Sequence, residues 1–167
     1  DWTSGSWLGY GKTSDMRCSS NACNGDFMFV PGKDKEGRKI NLLLQSNPQG
    51  GPAANQRMWV AINYKELDTK SSYSVADITS GWKTDGAYNS YRVSNYPSAY
   101  SSMCLKNDGD IAFLYSQNDN GGVFSVAYKC LSVETITGGR YTYDDYAQQP
   151  AYCKLQKGDK VKGAYAV

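Results

Sequence analysis

A chain of 167 residues can hold one domain with a sizeable core. A net charge of +2, with acids and bases interspersed, offers no basic stripe for nucleic acid. The chain has no histidine, which excludes histidine triads, two-histidine zinc motifs and imidazole proton shuttles. No apolar run reaches the length of a membrane span.

Fourteen tyrosines against 4 phenylalanines, together with 17 glycines and many Ser, Asn and Asp, predict a turn-rich all-β chain, treated as a single β domain over 1–167. In chain order, a strand is expected over Phe27 to Val30, then a turn at Pro31-Gly32-Lys33. A strand from Ile40 to Gln45 follows, then a loop from Ser46 to Pro52. Arg57 to Tyr64 alternates: Met58, Val60 and Ile62 share one face, and Trp59, Ala61 and Asn63 the other. Ser72 to Ala76, Tyr88 to Val93 and Ala99 to Leu105 continue the strand pattern. Asn107-Asp108-Gly109 is a tight-turn signal leading into Ile111 to Tyr115, and Asn118 to Gly122 joins that strand to Val123–Leu131. Ser132 caps a single helical turn that Gly138-Gly139 stops. Many short antiparallel strands suit a sandwich, a barrel or propeller blades, and periodicity alone does not choose.

Five cysteines leave at least one thiol free or paired outside the chain. Cys18 and Cys23 could close a small loop, while Cys104 and Cys130, in strands, read as buried thiols. Their spacing does not suit zinc, and neither a metal nor a cofactor is implied. Asp144-Asp145 reads as a solvated pair, and the loop Gln49-Gly50-Gly51-Pro52 lacks what a phosphate cradle needs. The tail from Lys154 to Lys162 reads as an edge or a mobile end.

The run Ser98-Ala99-Tyr100-Ser101-Ser102-Met103, followed by Asn107-Asp108-Gly109-Asp110-Ile111-Ala112-Phe113-Leu114-Tyr115, resembles the hairpin that carries the nucleophilic tyrosine of exo-sialidases. Other pieces resemble that family in the same order. Cys23-Asn24-Gly25-Asp26-Phe27 is similar to its turn before a blade strand. Leu43-Leu44-Gln45-Ser46-Asn47-Pro48, a glycine-rich loop and Arg57 are similar to the segment bearing the third arginine of its carboxylate clamp. Val123 to Thr137 is similar to its closing strand, and the likeness spans roughly residues 20 to 143.

This resemblance implies an all-β fold of antiparallel blades forming about half of a six-bladed propeller. It also implies a glycoside hydrolase that releases terminal sialic acid with retention of configuration. Tyr100 would be the nucleophile and Arg57 would hold the substrate carboxylate. A neutral phenol approaches an anomeric centre bearing a carboxylate more readily than a carboxylate does, and a planar guanidinium matches that carboxylate. Such tyrosine enzymes depart from the two-carboxylate scheme of most glycosidases. The acid, the base and the other two arginines of the family precede the matched region. The chain is therefore expected to associate with the N-terminal half of the same enzyme, to act on a sialylated glycan, and to be secreted or at the cell surface. Its start at Asp1 fits a processed product or a piece of something longer.

One departure stands out: the family reads Leu-Tyr-Glu where this chain reads Leu114-Tyr115-Ser116. Serine cannot make the ion pair that orients an arginine there. The alternative is a non-catalytic secreted carbohydrate-binding or adhesion module. An unrelated β-sandwich would instead bury Tyr100 away from any arginine. Trp59, Tyr88, Tyr91 and Tyr96 are read as packing or lone surface aromatics rather than sugar platforms.

Overall fold

The computed structural model describes residues 25–49, 57–145, 160–161 and 164–165. The cysteine loop of Cys18 and Cys23, the glycine-rich segment 50–56 and most of the tail lie outside the described residues.

The described part is mostly antiparallel β. Strands β1 (Asp26–Asp34), β2 (Lys39–Gln49) and β3 (Trp59–Asp68) form a meander, and β1 and β2 run well beyond the segments expected from sequence. After β3 come a short helix α1 (Val75–Thr79), the two-residue strands β4 (Lys83–Thr84) and β5 (Ala87–Tyr88), and β6 (Ser90–Arg92). Strands β7 (Ser101–Leu105), β8 (Ile111–Asn120) and β9 (Val123–Leu131) form a second meander. A helical turn α2 (Val133–Thr137) then leads to β10 (Tyr141–Tyr143). A curled five-stranded sheet has the order β10-β1-β2-β3-β6, and a three-stranded sheet has the order β7-β8-β9. The strand pairs β11 (Lys160–Val161) and β12 (Ala164–Tyr165) form a separate small ladder.

Pro31-Gly32-Lys33 is strand rather than turn. A strand residue points its N–H and C=O to the same side. The Pro31 carbonyl accepts from Asp144 N at 3.2 Å, so the missing proline donor faces the point where β10 leaves the ladder. The reversal comes later, at Gly37, whose φ of +81° suits glycine. Ser72 to Ala76 is likewise not a strand. Ser74 and Asp77 form a capping box that starts α1, with Asp77 N donating to Ser74 Oγ at 3.1 Å and Ser74 N to Asp77 Oδ2 at 2.8 Å. The buried Lys65 side chain donates to the carbonyls of Asp77 and Ser80 and so closes the far end of that helix. By contrast, α2 is capped by Ser132 and ended by left-handed Gly138, as the sequence predicts.

Alternation in β3 sets the core. Val60, Ile62 and Tyr64, with Val30, Leu42 and Leu44, turn one face of the large sheet toward Met103, Ile111, Phe113, Tyr115 and Leu131 of the small one. Val133 and Ile136 of α2 close one end of this layer. On the opposite face of the large sheet, Leu43 and Leu67 pack on Trp82, whose indole Nε1 donates to the Ile78 carbonyl at 2.8 Å. The three-stranded sheet is thus apolar and covered by the large sheet along β7 and β8, while on β9 only Leu131 is buried and Ala127 partly so.

Its outer face differs. Residues sharing a register row alternate sides along each strand. Ser102, Cys104, Ala112, Leu114, Ser116, Val126, Tyr128 and Cys130 therefore look outward. Leu114, Val126 and Tyr128 are exposed, and charge appears only at the hairpin end, where Lys106 pairs with Asp108 at 2.8 Å. Both Cys104 and Cys130 are free and exposed, not buried: their strand parity is opposite to that of Met103 and Leu131, which fill the core. No helix among the described residues is long and apolar enough to cross a membrane.

Candidate functional site

The first residues of β1 and β7 and the last of β2 converge at one end of the two sheets. There Asp26 Oδ2 accepts from Met103 N at 2.6 Å and from Ser102 Oγ at 3.1 Å, tying the first strand of one sheet to the first strand of the other. Asp26 N donates to Ser46 Oγ at 3.1 Å, and that hydroxyl lies 2.8 Å from Ser101 Oγ in a buried contact. Gly25 precedes this junction because any side chain would strike it: a Cβ there would lie 1.8 Å from the Ser46 carbonyl oxygen. On the other face of the same strand ends, buried Gln49 donates from Nε2 to Asn47 Oδ1 at 2.8 Å and to Asn63 Oδ1 at 2.9 Å. Arg92 lies over the Trp59 ring with 4.1 Å to its centroid, a cation–π contact.

Sequence reasoning missed this junction because its members are far apart in the chain. Asp26 and Met103 are 77 residues apart and Ser46 and Ser101 are 55 apart, and although each lies in a segment quoted for the resemblance, nothing in those segments says that they meet.

Tyr100 lies just before β7 on the outer side of this junction, with its side chain 55% exposed. Its main chain is held by Ser116, whose N–H donates to the Tyr100 carbonyl at 2.9 Å and whose hydroxyl accepts from Tyr100 N and Ala99 N at 3.0 Å each. Tyr100, Ser102, Leu114, Ser116 and Val126 line a shallow depression in the outer face of the small sheet.

Arg57 stands at the entry to β3, and its carbonyl accepts from Ser98 N at 3.2 Å. The two residues singled out from sequence therefore lie on backbone segments that touch, although they are 43 positions apart (100 − 57). The buried Ser98 hydroxyl between them has no protein partner.

Tyr115 is a core residue, stacked on Phe113 at 5.2 Å between centroids, and burial raises its phenol above the ordinary tyrosine range. A second polar cluster sits away from this end. Arg38 pairs with Asp34 at 3.0 Å, with Asp68 at 3.2 Å and with Glu66, and Tyr141 donates its hydroxyl to Glu66 at 2.6 Å. Burial, with that bond to Glu66, pushes the Tyr141 phenol up. Arg38 and Asp68 are exposed while Asp34, Glu66 and Tyr141 are half-buried, and the groups are paired among themselves as an ion network at the surface. Of the acidic pair Asp144-Asp145, Asp144 makes a salt bridge to Lys33 at 3.6 Å. Among the described residues no group of three His, Cys, Asp or Glu side chains could hold a metal ion.

No protein-family model matches this chain, and no curated protein or solved structure is significantly similar to it.

Proposed function

We propose that this chain is the C-terminal portion of a retaining exo-sialidase, about half of a six-bladed propeller completed by a second polypeptide. The observation that carries this reading is the contact between the Arg57 and Ser98 main chains, which sets Arg57 beside the segment that presents an exposed Tyr100. In this reading Arg57 holds the sialic carboxylate and the Tyr100 oxygen attacks the anomeric carbon, forming a glycosyl–tyrosine bond as the aglycone leaves. The base that accepts the phenol proton, the acid that protonates the leaving oxygen and the remaining guanidiniums come from the second polypeptide. Water then releases sialic acid and regenerates the phenol. No cofactor takes part.

The outer face of β7-β8-β9 supports completion in trans. Its exposed Leu114, Val126 and Tyr128 have the composition of a surface made to lie against another sheet. Propeller closure is one way all-β architectures cover such faces. Ser116 at the position where the family carries glutamate favours the second reading, a secreted carbohydrate-binding or adhesion module that keeps the frame without the chemistry.

Tyr100→Phe in the complete enzyme tests the proposal. Turnover of an aryl sialoside should vanish while the variant remains folded and still binds the sugar. Undiminished turnover would remove Tyr100 from the mechanism, and sialoside binding without hydrolysis by the parent protein would establish the module instead.

A further inference from the structure

We propose that Ser116 is a positioning residue for Tyr100, its hydroxyl holding the backbone from which the phenol projects. The inference rests on the sialidase reading and explains how a chain with serine at this position keeps its nucleophile in place.

In a regular antiparallel ladder two opposed residues of a hydrogen-bonded pair exchange both main-chain bonds. Across from Ser116, only one of these forms: Ser116 N donates to the Tyr100 carbonyl at 2.9 Å. The return bond goes to the side chain instead, because Tyr100 N donates to Ser116 Oγ at 3.0 Å and Ala99 N donates to the same oxygen at 3.0 Å. A hydroxyl oxygen has two lone pairs, so one serine satisfies two successive amides. The ladder ends here: β7 begins at Ser101, and Tyr100 is left off the sheet with its ring in solvent.

The geometry needs an acceptor oxygen two bonds from Cα. Serine and threonine have one, alanine has none, and glutamate carries its oxygens two bonds further out. The rest of the loop is fastened as well. Asn118 N donates to the Pro97 carbonyl at 2.7 Å, Ser98 N to the Arg57 carbonyl at 3.2 Å, and Ser94 Oγ to Gln117 Oε1 at 2.9 Å. The segment carrying Tyr100 is thus pinned on both the β8 side and the Arg57 side, and Ser116 makes the pin nearest the phenol.

Ser116→Ala and Ser116→Thr, made in the enzyme together with the polypeptide that completes it, test the role. Two quantities are read: steady-state turnover of an aryl sialoside, and amide hydrogen exchange at Ala99, Tyr100 and Met103. In Ser116→Ala, kcat should fall by about 10- to 100-fold with KM nearly unchanged, since a shift of about 1 Å in a reacting group suffices for such a loss. Exchange should quicken at Ala99 and Tyr100 but not at Met103, whose N–H is held by Asp26. Ser116→Thr should restore both. A merely structural role would loosen Met103 in parallel and would not separate kcat from KM. Undiminished kcat in Ser116→Ala, or a threonine variant that behaves like alanine, overturns the positioning role while leaving the sialidase reading intact. A parent enzyme that hydrolyses no sialoside overturns the sialidase reading first, and the positioning role with it.

Discussion

Gly109 joins the hairpin that follows the candidate nucleophile to the sheet that carries Arg57, and its replacement by alanine has a cost that can be worked out. The residue is buried, with φ at +89°, and an added Cβ would lie 2.1 Å from Cδ1 and 2.4 Å from Cγ of the Tyr143 ring. Carbon atoms in contact prefer about 3.5 Å or more, so the ring must retreat by about 1.4 Å. Tyr143 is opposite Gly32 in the β1–β10 pairing, and Gly32 would itself place a Cβ 2.8 Å from the Thr142 carbonyl, so the strand has little room to follow. Overpacking of this kind costs about 1–3 kcal/mol. The left-handed backbone costs a further ~1–2 kcal/mol for any residue with a Cβ. Gly109→Ala should therefore lose about 2–5 kcal/mol. Gly37→Ala is the control: its φ of +81° imposes the backbone cost alone, because nothing lies within 4 Å of the added methyl. Urea unfolding at constant m-value reads the difference between the two as a shift in midpoint. In a Tyr143→Ala background the Gly109→Ala cost should shrink to that of Gly37→Ala, a coupling that a double-mutant cycle reports. Equal costs for the two glycines, or no coupling to Tyr143, would refute the contact as a determinant of stability.

Two further outcomes follow from the same geometry. The capping-box bonds from Ser74 and the Lys70 ammonium hold the Asp77 carboxyl down at about 2, against an ordinary 3.8. A depressed carboxyl stabilises the fold above its unfolded value and loses that contribution as pH falls through the folded value. The amides of α1 should accordingly lose exchange protection between pH about 4 and about 2, and Asp77→Asn should flatten that profile; a profile unchanged by the substitution would count against the cap. Cys104 and Cys130 both flank Ala112, one on each neighbouring strand, so their Cα atoms are two strand spacings apart, roughly 9.5 Å. That exceeds the reach of a disulfide, about 7 Å. Both thiols should take up a maleimide in the native chain, and a mass showing an internal 104–130 bond would contradict the register.

What could be read from the sequence depended on whether the signal was local. Alternation from Val60 to Tyr64, the Asn-Asp-Gly turn and the Ser132 cap are decided by neighbouring residues and are placed as read, whereas Arg57 and Met58 fall before β3 and Met58 is exposed rather than in the core. Pro31-Gly32 misled because those residues ordinarily make turns; here the ladder partner ends beside the proline, at Asp144, 113 positions away (144 − 31). The helix after Ser74 reads as a strand, because five residues are too few to show a period of 3.6. The orientation of Cys104 and Cys130 needed knowledge of which face of the small sheet meets the large one. Tyr100 and Arg57 came from resemblance, whereas the polar junction of Asp26, Ser46, Ser101 and Ser102 exists only once the two sheets are stacked.

The bare outer face of the small sheet also bears on how the chain would have to be produced. β9 is an edge strand of nine residues on which Val123, Phe124, Val126 and Tyr128 are all exposed, with neither proline nor a run of charge to blunt it. A net charge of +2 gives little electrostatic repulsion between copies. Copies of this chain would find in one another the nearest apolar edge, so self-association should rise steeply with concentration. Yield of soluble chain would then be governed by the concentration at which it accumulates more than by the stability of its fold.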